Sequence, residues 1–194
     1  MPLLAWIRLL VGWVPMAGGA VLVALVLGLA ATAARAEPIN LDTFELARSD
    51  EGLVLNFSAR FELSKPIDEA LQKGVPLFFV AQAEVLRDRW YWADKTVANV
   101  TRTWRLAYQP LTRKYRVTYG GLSQHYDNLT DALVAVSRSV NWKLLDAAQL
   151  DDGSKHYVEF SYQLDTTQMP RPMQIGIGGQ SDWSLKVERT RRLN

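Results

Sequence analysis

The sequence predicts a mainly β fold of the α+β class: an antiparallel, β-sandwich-like domain of about seven strands with two short helices packed on it. The main observation is a period-2 alternation of apolar and polar residues, which is typical of strands with one buried face. It is clearest in residues 53–61, with the sequence LVLNFSARF. Two short segments with apolar residues at helical spacing, 64–74 and 127–140, interrupt the alternation.

The predicted strands differ in how many of their faces are apolar. Residues 75–87 include the run Leu77-Phe78-Phe79-Val80-Ala81, which is apolar on both sides and therefore predicts a strand in the middle of a sheet. The other strands alternate, and turn signals between them predict hairpins over 41–61 and 101–119. The full set of predicted strands is 41–48, 53–61, 75–87, 101–108, 115–119, 157–164 and 183–188.

Each predicted helix has a recognisable start. The first has Ser64 as N-cap and Pro66 in its first turn, and Gly74 ends it. The second follows the polar residues 127–130 and carries an apolar stripe that extends to Val140. The stripe is formed by Leu129, Ala132, Leu133, Val136 and Val140.

Residues 1–36 have the features of a leader for export. Residues 9–34 carry no charge, but Pro15 and two glycines interrupt them and leave an apolar core of about 12 residues, which suits a Sec-type signal peptide better than a membrane span. The small residues at the end include Ala34-Arg35-Ala36, which predicts cleavage after Ala36. The alternative is an uncleaved inner-membrane anchor. In both cases we expect residues 37–194 to form a single domain in the periplasm of a bacterium.

Removal of the leader changes the meaning of the charge. The full chain carries a net charge of +2. Residues 37–94 are acidic on balance, whereas residues 95–126 contain basic residues and no acidic residue at all. An exported domain without an overall basic charge is not expected to bind nucleic acid. The feature of the charge distribution that bears on function is therefore the positive segment 95–126.

The sequence contains no recognisable catalytic or metal-binding pattern. The chain has no cysteine, and His125 and His156 stand in separate contexts without a second ligand at metal-binding spacing. Neither a G-x-S-x-G nucleophile motif nor a complete phosphate-binding glycine motif is present. We therefore expect no metal, no cofactor and no enzymatic activity.

An aromatic segment is the first candidate for binding. Trp90, Tyr91 and Trp92 stand between charged residues, in the sequence RDRWYWADK. They could form a stacking platform for a sugar or a peptide, since tryptophan and tyrosine offer a large contact area at a low entropic cost. The alternative, which the sequence favours, is a bend in which Trp90 and Trp92 close the edge of the core.

The second candidate is the basic hairpin 101–119. If Trp104 and Tyr115 point inwards, then Arg105, Lys114 and Arg116 lie together on the outer face. Such a face could contact an acidic protein partner or the anionic head groups of the inner membrane. The alternative is a hairpin that pairs with the acidic strands of 37–94, whose negative charge balances its cations.

A series of short motifs occurs in order along the chain. The motifs are Phe61-Glu62-Leu63-Ser64, Ile67-Asp68-Glu69-Ala70-Leu71, Gly74-Val75-Pro76-Leu77-Phe78, Arg89-Trp90-Tyr91-Trp92, Thr103-Trp104-Arg105-Leu106, Tyr108-Gln109-Pro110-Leu111, Tyr115-Arg116-Val117, Gly120-Gly121-Leu122, Leu164-Asp165-Thr166 and Pro170-Arg171-Pro172. Together they resemble a proteobacterial exported family catalogued as domain of unknown function 4390, also described as a proline-rich signal-peptide protein. The resemblance implies a single domain of the cell envelope, without recognised catalytic residues, whose gene often lies beside that of a membrane sensor histidine kinase.

Two functional hypotheses follow from the sequence. The first is a non-enzymatic binding or accessory domain of the envelope that acts through contact with a protein, with a membrane sensor kinase as one candidate partner. The second is an envelope hydrolase or carbohydrate-binding domain with an acidic and aromatic cleft near Trp90 and Trp92. A cluster of carboxylates in one concave site would favour the second.

Overall fold

The fold is a sandwich of two antiparallel β-sheets. A computed structural model of the chain describes residues 39–150, 155–170 and 181–193. The predicted leader, with its cleavage site after Ala36, lies outside the described residues, as does the proline- and glycine-containing segment 171–180. The described strands are β1 (Ile39–Ser49), β2 (Gly52–Phe61), β3 (Leu77–Arg87), β4 (Lys95–Gln109), β5 (Lys114–Tyr119), β6 (Leu122–Tyr126), β7 (Arg138–Asp146), β8 (His156–Leu164) and β9 (Lys186–Arg192).

The sheets have three and six strands. The smaller has the order β1-β2-β7 and the larger the order β6-β5-β4-β3-β8-β9, with every neighbouring pair antiparallel. The mainly β, sandwich-like prediction is therefore confirmed. So is the central position of the strand within 75–87, since β3 lies between β4 and β8.

The core fills the space between the two sheets. Phe57 of β2 is 1% exposed, and its ring lies 4.9–6.2 Å from the rings of Phe160, Tyr162, Trp104 and Trp142. Of these residues, Phe160, Tyr162 and Trp104 lie on the inner face of the larger sheet. Its outer face is turned away from the smaller sheet, and the side chains alternate between the two faces along each strand.

Two helices lie at the ends of strands. Helix α1 (Lys65–Gln72) buries Ile67, Ala70 and Leu71, as the sequence predicts. The hydroxyl of its N-cap Ser64 does not cap the helix but donates to the carbonyl oxygen of Asp182 at 2.6 Å. Helix α2 (Leu129–Val136) is capped by Asn128, whose side chain accepts from the backbone N–H of Asp131 at 2.8 Å.

The prediction of a helix up to Val140 is wrong. Helix α2 ends at Val136, and the chain turns at once into β7, which pairs with β2. Asn141 has a φ of 51°, and the pairing of β7 with β2 shifts register twice, so β7 does not show a regular alternation. The short strand β6 was also not predicted, because four of its five residues are exposed and it carries no apolar face.

Candidate functional site

The aromatic loop, residues 88–94, joins β3 to β4 and extends beyond the end of the sheet. Trp90, Tyr91 and Trp92 are 92%, 69% and 73% exposed. The rings of Trp90 and Tyr91 meet edge to face with their centroids 5.0 Å apart. The interpretation that Trp90 and Trp92 close the edge of the core is therefore wrong. Val85 and Val158, which lie opposite each other near this end of β3 and β8, are fully buried.

Hydrogen bonds fix the two ends of the aromatic loop. Asp94 accepts from the backbone N–H of Arg89 at 3.1 Å and from the hydroxyl of Tyr157 at 2.6 Å. The backbone N–H of Asp88 donates to the carbonyl oxygen of Lys155 at 2.9 Å. The loop is thus tied to the start of β8, and the exposed aromatic rings are presented on a fixed support.

The same bonds shift two pKa values. The hydroxyl of Tyr157 and then the backbone N–H of Arg89 lower the pKa of Asp94, because both donate to its ionised form. The bond to Asp94 in turn raises the pKa of Tyr157 to about 12. Asp94 is therefore ionised at neutral pH. It supports the loop and is not suited to donate a proton to a substrate.

The predicted basic residues Arg105, Lys114 and Arg116 do share the outer face of the larger sheet. Trp104 and Tyr115 point inwards and are buried, as the sequence predicts. Lys114 forms an ion pair of 2.9 Å with Asp127. Within the described part of the chain, Arg105 and Arg116 form no ion pair with an acidic residue of 37–94, although β4 pairs along most of its length with β3, which lies in that segment.

Arg116 has one further feature. Its Nε is buried and has no hydrogen-bond partner in the described structure. Arg116 lies opposite Ala107 on β4 and His125 on β6. The basic face is therefore formed by β4, β5 and β6, whereas the aromatic loop precedes the other end of β4. The structure does not bring the two predicted binding groups together.

Sequence reasoning gave no role to Arg102, which occupies a defined site on β4. Its side chain lies on the inner face, half-buried, and Nη1 donates to Ser139 Oγ at 2.6 Å. The guanidinium carbon lies 5.1 Å from the ring centroid of Trp142 and 5.5 Å from that of Tyr119. Burial lowers its pKa. The sequence could have indicated this inner position, because Arg102 stands two residues from Trp104 in the same strand and therefore shares its face.

The outer face of the larger sheet also has an acidic end. A depression of about 360 Å³ there is lined by Glu84, Glu159 and Glu188, together with Arg189. Glu84 accepts from Thr96 Oγ1 at 2.6 Å. No group of three or more histidine, aspartate or glutamate side chains in the described ranges is arranged to hold a metal ion.

Within the described residues, no helix is long and apolar enough to cross a bilayer.

Comparisons with known proteins identify the family. Searches among curated proteins and among solved structures found no match. One family model matches residues 36–193, which is most of the chain. The chain therefore belongs to the family described as Domain of unknown function (DUF4390).

Proposed function

We propose that this protein is an exported, non-enzymatic binding domain of the bacterial cell envelope that acts by contact with a protein partner. The observation that carries the proposal is the aromatic loop, in which Trp90, Tyr91 and Trp92 are all more than two-thirds exposed. Tryptophan and tyrosine are enriched among the residues that contribute most to binding, which cluster near the centre of protein interfaces. Three adjacent exposed aromatic side chains of these types form a surface whose chemistry is suited to binding a protein partner.

The support of the loop adds to this argument. Because Asp94 is held by Tyr157 and by the backbone of Arg89, the loop is already ordered before a partner binds. A surface that is ordered beforehand loses less conformational entropy on binding. The loop therefore combines a large exposed apolar area with a small loss of conformational entropy on binding.

The sequence supports the location in the envelope. Residues 9–34 are uncharged and end in the Ala34-Arg35-Ala36 pattern, and the family match begins at residue 36, next to the predicted cleavage site. A membrane sensor kinase is one candidate partner, because the family resemblance implies a neighbouring gene of that kind. Contact with the inner-membrane surface through the basic residues Arg105, Lys114 and Arg116 is part of the same proposal.

The test compares two variants that lose exposed apolar surface at different places. One carries Trp90→Ala and Trp92→Ala. The matched control carries Leu111→Ala, which lies in the turn between β4 and β5 and is 100% exposed. Each protein is crosslinked in cells and the captured partners are identified by mass spectrometry. We expect the double variant to lose a partner that the wild type and the control both retain.

The second candidate function, carbohydrate binding or hydrolysis, is favoured by the acidic depression with Glu84, Glu159 and Glu188 near the loop end of β3. Its test is binding of soluble peptidoglycan fragments to the isolated domain. If the wild type binds these fragments, the Trp90 and Trp92 variant does not, and protein capture is unchanged by the variant, then the carbohydrate function replaces the protein-binding one.

A further inference from the structure

Strand β4 has an edge that is paired on one side only. β3 pairs with β4 from Lys95 to Leu106, whereas β5 pairs with it only from Arg105 to Gln109. Val97 is an extra residue in the pairing with β3, because Val85 lies opposite Ala98 and Leu86 opposite Thr96. Beyond this bulge, residues 98–103 form a regular strand segment of about 20 Å. We call residues 98–103 the open edge.

The open edge differs from the other sheet edges. Exposed edges in natural proteins are commonly shortened, bulged or charged, since an unprotected edge pairs with other chains. β6 has five residues, β1 has a register shift after Leu41, and β7 has two shifts against β2. β9 carries several charges. The charged residues of β9 are Lys186, Glu188, Arg189, Arg191 and Arg192.

Within residues 98–103 the open edge has no bulge and only a single charge. Its sequence is Ala-Asn-Val-Thr-Arg-Thr, with three β-branched residues and no proline. Arg102 is its one charge, and its side chain contacts Ser139 on the inner face instead of extending across the edge. Within the described part of the chain, the backbone groups of this segment pair with β3 alone.

Arg102 gives the open edge a chemical preference. Trp142 and Tyr119 lie near its guanidinium group, and one of its N–H groups donates to Ser139. A guanidinium group has five N–H donors in one plane, arranged to bind a carboxylate through two of them. In the described structure no carboxylate lies within ion-pair distance of Arg102.

We propose that the open edge of β4 binds an extended segment of the partner protein as an additional strand, and that Arg102 binds a carboxylate of that segment. This inference rests on the proposed protein-binding function and adds the conformation and charge of the partner. Segment 95–126 has no acidic residue, so the same edge of a second copy could not supply the carboxylate. Main-chain hydrogen bonds would give the affinity, and Arg102 would select an acidic sequence.

The first experiment is hydrogen–deuterium exchange on the free domain and on the domain with a probe peptide. The probe is a capped peptide of about ten residues in which glutamate alternates with valine and threonine, and a lysine version is the matched control. We expect the glutamate peptide to slow exchange in residues 98–103. Slow exchange of every amide in the free domain, including those that face away from β3, would mean that the edge is already covered and would overturn the proposal.

The second experiment measures the affinity of the glutamate peptide by fluorescence polarisation. We expect Arg102→Gln to weaken binding about tenfold or more, since a charge-assisted hydrogen bond is lost, and Arg48→Gln to leave it unchanged. Arg48 is the matched control because its exposed side chain lies on β1, at the edge of the smaller sheet opposite to β7. Arg102→Lys, which keeps the charge but not the planar donors, should give an intermediate affinity. Thermal unfolding of each variant checks that it is folded.

Three results of the peptide measurements would overturn the inference: no binding of the glutamate peptide at about 1 mM, equal binding of the lysine peptide, or equal effects of the Arg102 and Arg48 variants. Dimerisation through residues 98–103 in analytical ultracentrifugation would also overturn it, because a second copy would then be the occupant. The proposed function is tested separately, since partner capture that depends on Trp90 and Trp92 can persist when the peptide does not bind.

Discussion

The hydroxyl of Tyr157 donates a hydrogen bond of 2.6 Å to Asp94 Oδ2 and thereby ties the start of β8 to the loop between β3 and β4. This bond lies beside three exposed aromatic side chains, at a point where two strands end. It explains how a loop without a buried apolar anchor keeps a defined conformation. The first two predictions concern this bond.

The pKa values of Tyr157 and Asp94 depend on each other. Replacement Asp94→Asn removes the negative charge that favours the protonated phenol, so the pKa of Tyr157 should fall from about 12 towards its ordinary value. Conversely, Tyr157→Phe should raise the pKa of Asp94, because the largest contribution that lowers it is lost. NMR titration of each side chain measures both changes. Unchanged values in both variants would show that the bond does not form in solution.

The order of the aromatic loop should depend on pH in the acid range. Since the folded state lowers the pKa of Asp94, its ionised form stabilises the loop at every pH above the unfolded-state value of about 3.9. This contribution is lost as the pH falls through the lower, folded pKa. Protection of the Arg89 amide, which donates to Asp94, should therefore persist below the ordinary aspartate pKa of about 3.9 and be lost only as the lower, folded pKa is passed. Loss of protection near neutral pH would contradict this assignment.

The packing between the two sheets should depend strongly on Phe57. This side chain is 1% exposed and contacts aromatic rings of both sheets. We expect Phe57→Ala to lower the free energy of unfolding by about 3–5 kcal/mol. Leu111→Ala, at a fully exposed position, should change it by less than about 0.5 kcal/mol. Denaturation in guanidinium chloride measures both, and similar values for the two variants would contradict the described core.

The turn between β1 and β2 requires glycine at position 52. Gly52 has a φ of 130°, and a Cβ atom there would overlap the carbonyl oxygen of Leu145 on β7. We expect Gly52→Ala to lower the free energy of unfolding by at least about 2 kcal/mol. Gly121→Ala is the matched control, because Gly121 also has a positive φ, of 83°, but open space around it. It should cost about 1 kcal/mol, from backbone strain alone.

Local pattern in the sequence was sufficient for much of the fold. The alternation in residues 53–61 and the two-sided apolar run around Phe79 reflect burial that the strand imposes on its own residues, so β2 and the central strand β3 could be predicted. The inward direction of Trp104 and the outward direction of Arg105 followed from the same period. These features depend on neighbours along one strand.

Other features were decided only by the tertiary structure. The period of the strand placed Arg102 on the inner face, but its contacts with Trp142 and Ser139 require β7. Strand β7 could not be predicted from the sequence because its pairing with β2 is irregular. Trp90 and Trp92 could have covered the core, but in the folded chain both are exposed. The open edge of β4 exists because β5 is shorter than β4. Each depends on residues far apart in the chain, which local periodicity does not encode.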